Sequence, residues 1–374
     1  MKSVLMVAGF PDSILKFRGG LIDEFLRRGI DLHIAAPNLS ASSAIGRALL
    51  AKGVTLHEIP LSRVGMNPIA DLRTFLFLCL MIRRVKPTLL LAYTIKPVIY
   101  GLLAGRFSGV SNRNALITGL GYAFQGDRER ERSSVRMLVQ ALYGFALRGA
   151  NKVFFQNPDD AALFLSKGIL QDDGASCVVN GSGIDTDEFV VAPVPFQSRF
   201  LLIARLLGNK GVREYVEAAK YLKARYSNVV FELVGWIDEN PDAVSHHELD
   251  FWVSSGVIKF SGKLEDVRPA IERSSVYVLP SYREGTPRTV LEAMSMGRAI
   301  ITTDAPGCRE TVIDGDNGFL VPVKSVDALV EAMTRFIEDP DLAVRMGKRS
   351  REIAVEKYDV HKVNAVMLKE MGIQ

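Results

Sequence analysis

Glu284 and Glu292 stand eight positions apart in Ser281-Tyr282-Arg283-Glu284-Gly285-Thr286-Pro287-Arg288-Thr289-Val290-Leu291-Glu292, the stretch of this chain best equipped for chemistry. A short apolar run at 276–279 ends in Pro280, a turn of small residues follows, and a helical pattern takes over at 289–296. Glu284 therefore falls on a strand-to-helix loop, and Glu292 lies one or two turns inside the helix. A helix start presents backbone N–H groups and the positive end of the helix dipole, which suits a phosphate. Carboxylates accept hydrogen bonds from hydroxyls. Two of them flanking a phosphate site point to a ligand with hydroxyl-bearing rings on either side of phosphate, as in a sugar nucleotide.

Arg205 and Lys210, in Ala204-Arg205-Leu206-Leu207-Gly208-Asn209-Lys210-Gly211, lie between an apolar run at 200–203 and a helical pattern at 212–225. Arginine can clamp two oxygens and lysine adds a compact charge. Alone, the pair reads as an ordinary solvated loop. Facing the Glu284 loop across one sheet edge, it reads as a diphosphate clamp.

Other strand ends carry weaker signals. Arg18-Gly19-Gly20 is expected between the first strand and a helix beginning at Leu21, where small residues let a ligand approach the backbone; it is not a complete G-x-G-x-x-G. Lys96, in Tyr93-Thr94-Ile95-Lys96-Pro97, is either a contact for an acceptor phosphate or a surface lysine. Thr118, Gly119 and Tyr122 mark another glycine-bearing strand end. Beyond them, Arg128, Arg130, Arg132 and Arg136 stand beside Val135, Leu138, Leu142 and Phe145. Basic residues along an apolar helical face fit a lipid interface, although Glu129 and Glu131 dilute the signal and an ordinary packed helix fits equally well. Asp185-Thr186-Asp187 follows hinge glycines and reads as capping rather than as a cation site. No histidine spacing suits a metal, and no Walker loop or nucleophile elbow occurs.

The 374 residues suffice for two domains. The net charge of +4 hides an asymmetry: residues 1–150 carry 20 Lys and Arg against 9 Asp and Glu, and the remainder carries 26 against 33. The basic half suits a polyanion or an anionic membrane surface. Three widely spaced cysteines form neither a disulfide framework nor a metal cluster, which fits a reducing cytosol. The N-terminus reads as a strand rather than a signal peptide, and the most apolar stretch, 75–82, is stopped by Arg83-Arg84 well short of the ~20 residues that span a bilayer.

Apolar runs at 4–7, 32–35, 89–92, 116–118 and 153–155 alternate with helical patterns at 21–28, 44–52, 69–85, 98–107 and 135–147. After a glycine- and proline-bearing pause at 177–195, strands at 200–203, 229–234, 257–260, 276–279 and 299–302 alternate with helices at 212–225, 267–273 and 289–296. Three helical patterns fill the tail, at 326–338, 341–356 and 360–371. The expected organisation is two doubly wound parallel-sheet domains, 1–180 and 181–358, with 359–374 packing back on the first. Ligands of such sheets bind outside the carboxyl ends of the strands, so the expected site is an interdomain cleft.

Taken together, Asn180-Gly181-Ser182-Gly183-Ile184-Asp185, Arg205 with Lys210, Glu284 with Glu292, and Gly307-Cys308-Arg309-Glu310 ahead of Asn317-Gly318-Phe319-Leu320-Val321-Pro322 resemble the retaining family 4 glycosyltransferases of the GT-B fold. Ile95-Lys96-Pro97, Ile117-Thr118-Gly119-Leu120-Gly121-Tyr122, Asp238-Glu239-Asn240-Pro241 and Pro280-Ser281-Tyr282-Arg283-Glu284-Gly285 narrow the resemblance to bacterial enzymes that extend polyprenyl-diphosphate-linked saccharides for capsule, O-antigen or N-glycan assembly.

The resemblance implies an α/β GT-B fold of two Rossmann-like domains and a UDP-sugar donor, with no cofactor and no metal. It implies that Arg205 and Lys210 neutralise the donor diphosphate, that Glu284 meets the transferred sugar and that Glu292 holds the ribose. Gly285, Thr286 and Pro287 would lie by the phosphate, with Gly20 approaching it from the first domain and Lys263 and Leu264 facing the base. Lys96, Thr118, Gly119 and Tyr122 would meet the acceptor. The implied partners are a nucleotide sugar and a lipid-linked saccharide in the cytoplasm or on the inner leaflet, and no nucleic acid. Many family members carry a cleft histidine from the first domain; none occurs at 110–125 here. A nucleotide-sugar epimerase and a non-catalytic sugar-nucleotide-binding subunit remain the competing readings.

Overall fold

The computed structural model describes residues 2–62, 65, 67–120, 133–171 and 173–373. The chain divides into two compact units, residues 1–182 with 363–374, and residues 183–362.

The first unit alternates β1 (Ser3–Val7), α1 (Asp12–Arg27), β2 (Asp31–Ala36), α2 (Ala44–Ala51), β3 (Thr55–Glu58), α3 (Pro68–Val85), β4 (Leu89–Tyr93), α4 (Leu102–Phe107), β5 (Asn112–Ile117), α5 (Ser133–Leu147), β6 (Lys152–Phe155), α6 (Pro158–Ser166) and β7 (Ser176–Val178). A π-helical turn, Pro97–Gly101, leads into α4. The strands form a parallel sheet in the order β3-β2-β1-β4-β5-β6-β7. Such a sheet is buried on both faces, and every residue of β4 is buried accordingly. Successive side chains of β1 feed opposite cores. Leu5 and Val7 face the side holding α3–α6, while Val4 and Met6 face the side holding α1 and α2. The chain's last helix contributes Val363, Met367, Leu368 and Met371 to that second core, and Asn112 Nδ2 donates to Met371 O at 2.8 Å.

The second unit contains β8 (Arg199–Arg205), α7 (Val212–Arg225), β9 (Val230–Trp236), α8 (His246–Ser254), β10 (Lys259–Phe260), α9 (Arg268–Glu272), β11 (Val276–Leu279), α10 (Arg288–Ser295), β12 (Ala299–Thr303), β13 (Gly318–Val321), α11 (Val326–Glu338) and α12 (Pro340–Lys357); α13 (Val360–Glu370) runs from it into the first unit. Its parallel sheet is ordered β10-β9-β8-β11-β12-β13. Helices α7, α8 and α11 cover one face and α9 and α10 the other, while α12 gives Ala343 and Met346 to the first core and Ile353 and Ala354 to the second. Arg298, fully buried, donates to the carbonyls of Ala192, Pro193, Ile271 and Glu272, fastening the extended segment before β8 to this unit.

In both sheets the winding direction reverses at the strand that begins the unit, between β1 and β4 and between β8 and β11. These are the topological switch points, outside whose carboxyl ends ligands of doubly wound sheets bind.

One expectation about a site residue is corrected here. The first helix starts at Asp12, not Leu21, so Arg18, Gly19 and Gly20 lie inside α1 rather than on the loop before it. Burial of Ile14, Leu21, Ile22 and Phe25 on one face carries the helix through the two glycines despite their poor propensity. The residue at the close approach after β1 is Gly9 instead: a Cβ there would stand 2.6 Å from Thr94 Oγ1 at the end of β4. The fifth strand also ends at Ile117, one residue before Thr118, having begun at Asn112. Short or mixed-composition elements escaped the pattern, namely β3, β7, β13, α6 and α8.

Candidate active site

Three loops meet at the carboxyl edge of the second sheet, following β8, β11 and β12. The first two strands are the switch-point neighbours. Backbone bonds join the loops: Tyr282 N donates to Asn209 O at 2.9 Å, and Glu284 N donates to Pro306 O at 2.9 Å. Glycine makes both approaches feasible. Gly211 has φ +70, and a Cβ there would stand 2.1 Å from Pro280 O. Gly307 has φ +80, and its Cβ would stand 2.2 Å from Glu284 O. Neither backbone conformation nor space admits a larger residue without rearrangement.

This stitching brings Lys210 and Glu284 into contact. The Lys210 ammonium donates to Glu284 Oε1, and Ser281 Oγ donates to the same oxygen at 2.8 Å. Both ionic side chains are mostly shielded from solvent. Arg205, the last residue of β8, reaches across to Asp238 instead, with Nη1 to Oδ2 at 3.0 Å. Asp238 lies on the loop after β9, and that loop is fixed to the Lys210 loop by Asp242, whose Oδ2 accepts from Asn209 N at 2.8 Å. Arg205 and Lys210 thus stand on one short loop, and each already holds a carboxylate.

Glu292 is buried on α10, and Arg288 Nε donates to its Oε1 at 2.9 Å. Gly285 and Thr286 lie on the loop into α10, where Pro287 occupies the cap position and supplies no side-chain capping bond. The first turn of α10 carries no carboxylate, so its positive end is not neutralised from within. Tyr277 OH donates to Ile203 O at 3.1 Å and bonds Thr289 Oγ1 at 2.7 Å, tying the start of α10 to β8. Cys308 is packed beneath the Glu284 loop. Burial, with the Glu284 charge second, pushes its thiol up to about 12, which disfavours the thiolate.

Lys263 and Leu264 follow β10. The Lys263 ammonium lies 5.0 Å from the centre of the Trp236 ring, and Gly262 O accepts from Gly235 N at 2.9 Å. Lys263 borders an 820 Å³ cavity lined also by Trp236, Asp238, Glu239, His246 and Phe260, while Leu264 packs against the core that holds α9 and α10. Asp238, the partner of Arg205, is part of that lining.

The first unit's candidates are more scattered. Lys96, after β4, donates to Asp71 Oδ1 at 2.7 Å and is largely buried. Asp71 also bonds Tyr100, and burial first, then Asp71, pushes the Tyr100 phenol up beyond its usual range. Thr118 and Gly119 follow β5, and Tyr122 lies outside the described residues. Gly20 is inside α1 and joins neither group. Asp185 Oδ1 accepts from the backbone N–H groups of Asp187 and Glu188, each at 3.0 Å, so it closes a turn; no helix starts there to be capped.

Sequence reasoning assigned no role to Asp238, Arg288 or Trp236. Arg288 was detectable, because it precedes Glu292 by four positions on a helix. Asp238 stood in the Asp238-Glu239-Asn240-Pro241 stretch of the resemblance without a role, and Trp236 had no local signal.

Residues 185–353 match the family described as "Glycosyl transferases group 1", and residues 6–157 match "Glycosyl transferase 4-like". The chain is a GT-B glycosyltransferase. Over 361 residues it is 28% identical to the N,N'-diacetylbacillosaminyl-diphospho-undecaprenol alpha-1,3-N-acetylgalactosaminyltransferase of Campylobacter jejuni, covering 93% of this chain and 92% of the relative. It is 25% identical to the UDP-Gal:alpha-D-GlcNAc-diphosphoundecaprenol alpha-1,3-galactosyltransferase of Escherichia coli, over 84% of this chain and 82% of the relative. The fold of this glycosyltransferase is shared with HepE of Anabaena, solved in complex with UDP: the TM-score is 0.78 at 18% identity, with 100% of both chains covered. Among the described residues, no helix of the transferase is long and apolar enough to cross a membrane.

Proposed function

We propose that this glycosyltransferase moves a hexose or N-acetylhexosamine from a UDP-sugar to a polyprenyl-diphosphate-linked saccharide at the inner face of the plasma membrane. It does so with retention of configuration and without a metal ion. The observation that carries this reading is the contact of Lys210 with Glu284 at the switch point, a cation for the diphosphate beside an acid for the sugar. The activities for which the Campylobacter and Escherichia relatives are named, both on undecaprenyl-diphosphate saccharides, support the substrate class.

Negative charge grows on the leaving diphosphate as the sugar–phosphate bond breaks. Arg205, Lys210 and the start of α10 stabilise that charge, which is the main demand the reaction makes on the protein. Lys210 then divides its hydrogen bonds between Glu284 and a phosphate oxygen; an ammonium has three protons to share. Glu284 accepts from hydroxyls of the transferred sugar and Glu292 from the ribose, while Gly285 and Thr286 border the phosphate. Lys263 and Leu264 face the base. On the acceptor side, Lys96 exchanges Asp71 for a phosphate, with Thr118 and Gly119 beside it. A departing phosphate oxygen takes the acceptor's proton on the same face of the sugar, so the scheme needs no separate base.

The test is a panel of UDP-sugars offered with a short polyprenyl-diphosphate saccharide, the product read by mass spectrometry and its anomeric configuration by NMR. Transfer with retained configuration, unchanged by EDTA, is expected. Conversion of the donor to its epimer without an acceptor would instead establish an isomerase. Tight donor binding with no transfer across the panel would establish a non-catalytic binding subunit.

A further inference from the structure

An ordinary surface helix turns apolar residues inward and polar ones outward. Helix α3 does not. Its inner face buries Thr74, Leu78, Cys79, Met81 and Ile82 against the sheet. Its outer face presents Ile69, Leu72, Leu76, Phe77 and Leu80, with Ile69 81% and Leu80 58% exposed. The spacing of 69, 72, 76 and 80 makes one stripe along the helix.

Two neighbouring helices extend this surface. Phe107, the last residue of α4, is 60% exposed and meets Phe75 of α3 edge-on at 5.8 Å. Arg106 lays its guanidinium 5.8 Å from the ring centre of Phe145 on α5, which is itself exposed alongside Met137 and Leu138. Single exposed apolar residues are commonplace, but a run of them across three adjacent helices marks an interaction surface.

Charge selects the partner. Arg73, Arg83 and Arg84 on α3, Arg106 on α4 and Arg136 on α5, with Lys86 and Arg148 just past the helix ends, accompany this face. The three helices contain a single carboxylate, Asp71, and it is buried against Lys96. Leucine and phenylalanine between arginines, with no second acid within the three helices, match the acyl boundary and anionic headgroups of a lipid surface, the arginine stems lying along the apolar layer; Glu129 and Glu131 precede α5 in the sequence, outside the described residues.

We infer that the outer face of α3, α4 and α5 docks this transferase on an anionic lipid bilayer. Asp71, in the first turn of α3, holds Lys96 at the end of β4, so the docking face adjoins the carboxyl edge of the first sheet. A lipid-linked diphosphate arriving from the bilayer meets that edge directly. The inference deepens the proposed action on a lipid-linked acceptor and rests on that reading for its setting.

The experiment is flotation of the full chain with phosphatidylcholine vesicles, with and without phosphatidylglycerol. It compares the wild type with Leu72→Ser/Leu76→Ser/Leu80→Ser and with Arg83→Glu/Arg84→Glu. All these positions are exposed, so both variants keep the fold. The wild type floats with anionic vesicles, and each variant binds at least about tenfold more weakly. Both variants keep wild-type transfer to a short-chain, water-soluble acceptor and lose transfer to a long-chain acceptor presented in vesicles. Flotation equal among the three proteins, or none with the wild type, overturns the inference. A concentration-dependent dimer in sedimentation that the leucine variant abolishes also overturns it, by making the face a contact between copies. Flotation that responds as expected while no acceptor is glycosylated by any of the proteins defeats the functional reading and leaves the docking surface standing.

Discussion

Lys210 donates to Glu284 across neighbouring strands of the second sheet, so the cation and the acid best placed to handle a sugar diphosphate are already in contact. Their loops are 74 positions apart in sequence and are joined by the reversal in strand order. The pair has two roles at once. It neutralises two mostly buried charges, and under the proposed function it presents both to a ligand that replaces one partner with phosphate and the other with sugar hydroxyls.

Removing the charge clamp should cost catalysis more than binding. Arg205→Ala and Lys210→Ala should each lower kcat/KM by roughly 100-fold, about 3 kcal/mol, as for lost charge-stabilising donors elsewhere. Because Lys210 and Glu284 touch, Lys210→Ala and Glu284→Gln should be non-additive in a double-mutant cycle. Additive losses, measured by initial rates on a saturating acceptor, would show that the two side chains act separately.

Asp238 should matter little by itself. The Arg205–Asp238 pair is partly exposed, at 39% and 23%, and pairs of this kind contribute at most about 1 kcal/mol. Asp238→Ala should therefore shift the UDP dissociation constant by less than about fivefold in calorimetry. A loss comparable with that of Arg205→Ala would mean that Asp238 touches the nucleotide itself.

Glu292 should couple stability to nucleotide binding. Its carboxylate is buried against Arg288. Glu292→Ala leaves that guanidinium without its acid and should destabilise the protein by about 2–3 kcal/mol in urea melts. Adding Arg288→Ala should recover part of the stability but none of the UDP affinity. Full recovery of both would remove Glu292 from the site.

Glycine at 211 and 307 should resist replacement. In each case a methyl group would stand close to 2 Å from a backbone carbonyl oxygen of the Glu284 strand-end loop or of Pro280 before it. Gly211→Ala and Gly307→Ala should each cost more than about 1 kcal/mol and weaken donor binding, as the loops separate. Unchanged melting and unchanged UDP affinity would show that the loops relax freely.

Helix α8 should loosen in acid. Arg213 pairs with Glu248 at 2.7 Å and, as the largest cause, holds its carboxyl down from 4.5 to about 2. The folded carboxylate is thus stabilised relative to the unfolded one. That contribution is complete above pH 4.5 and fades as pH falls toward about 2. Both side chains are more than a third exposed, so it amounts to less than about 1 kcal/mol. In urea melts at pH 7 and pH 3, Glu248→Gln should lose less stability between the two than the wild type does.

The elements of both sheets were legible because parallel strands leave a plain trace. Buried on both faces, 276–279 and 89–92 read as unbroken apolar runs, and the structure has strands there. Helix 212–225 was equally plain from its period. The failures have one cause, the absence of a local signal. Edge strand β3 is short and mixed in composition, edge strand β13 is only four residues long, and two glycines disguised the middle of α1 as a turn.

Sequence alone determined where the candidate residues fall, because Glu284, Glu292, Arg205 and Lys210 are placed by strand ends and helix starts that composition and period specify locally. It also determined the glycosyltransferase resemblance, which rests on their order along the chain. Tertiary structure decided the partners. That Lys210 meets Glu284 while Arg205 turns to Asp238, and that Lys96 is held by Asp71, follows from strand order and loop packing. A one-dimensional pattern cannot encode those choices, because each joins residues brought together only when distant strands pair and glycines such as Gly211 let their loops close.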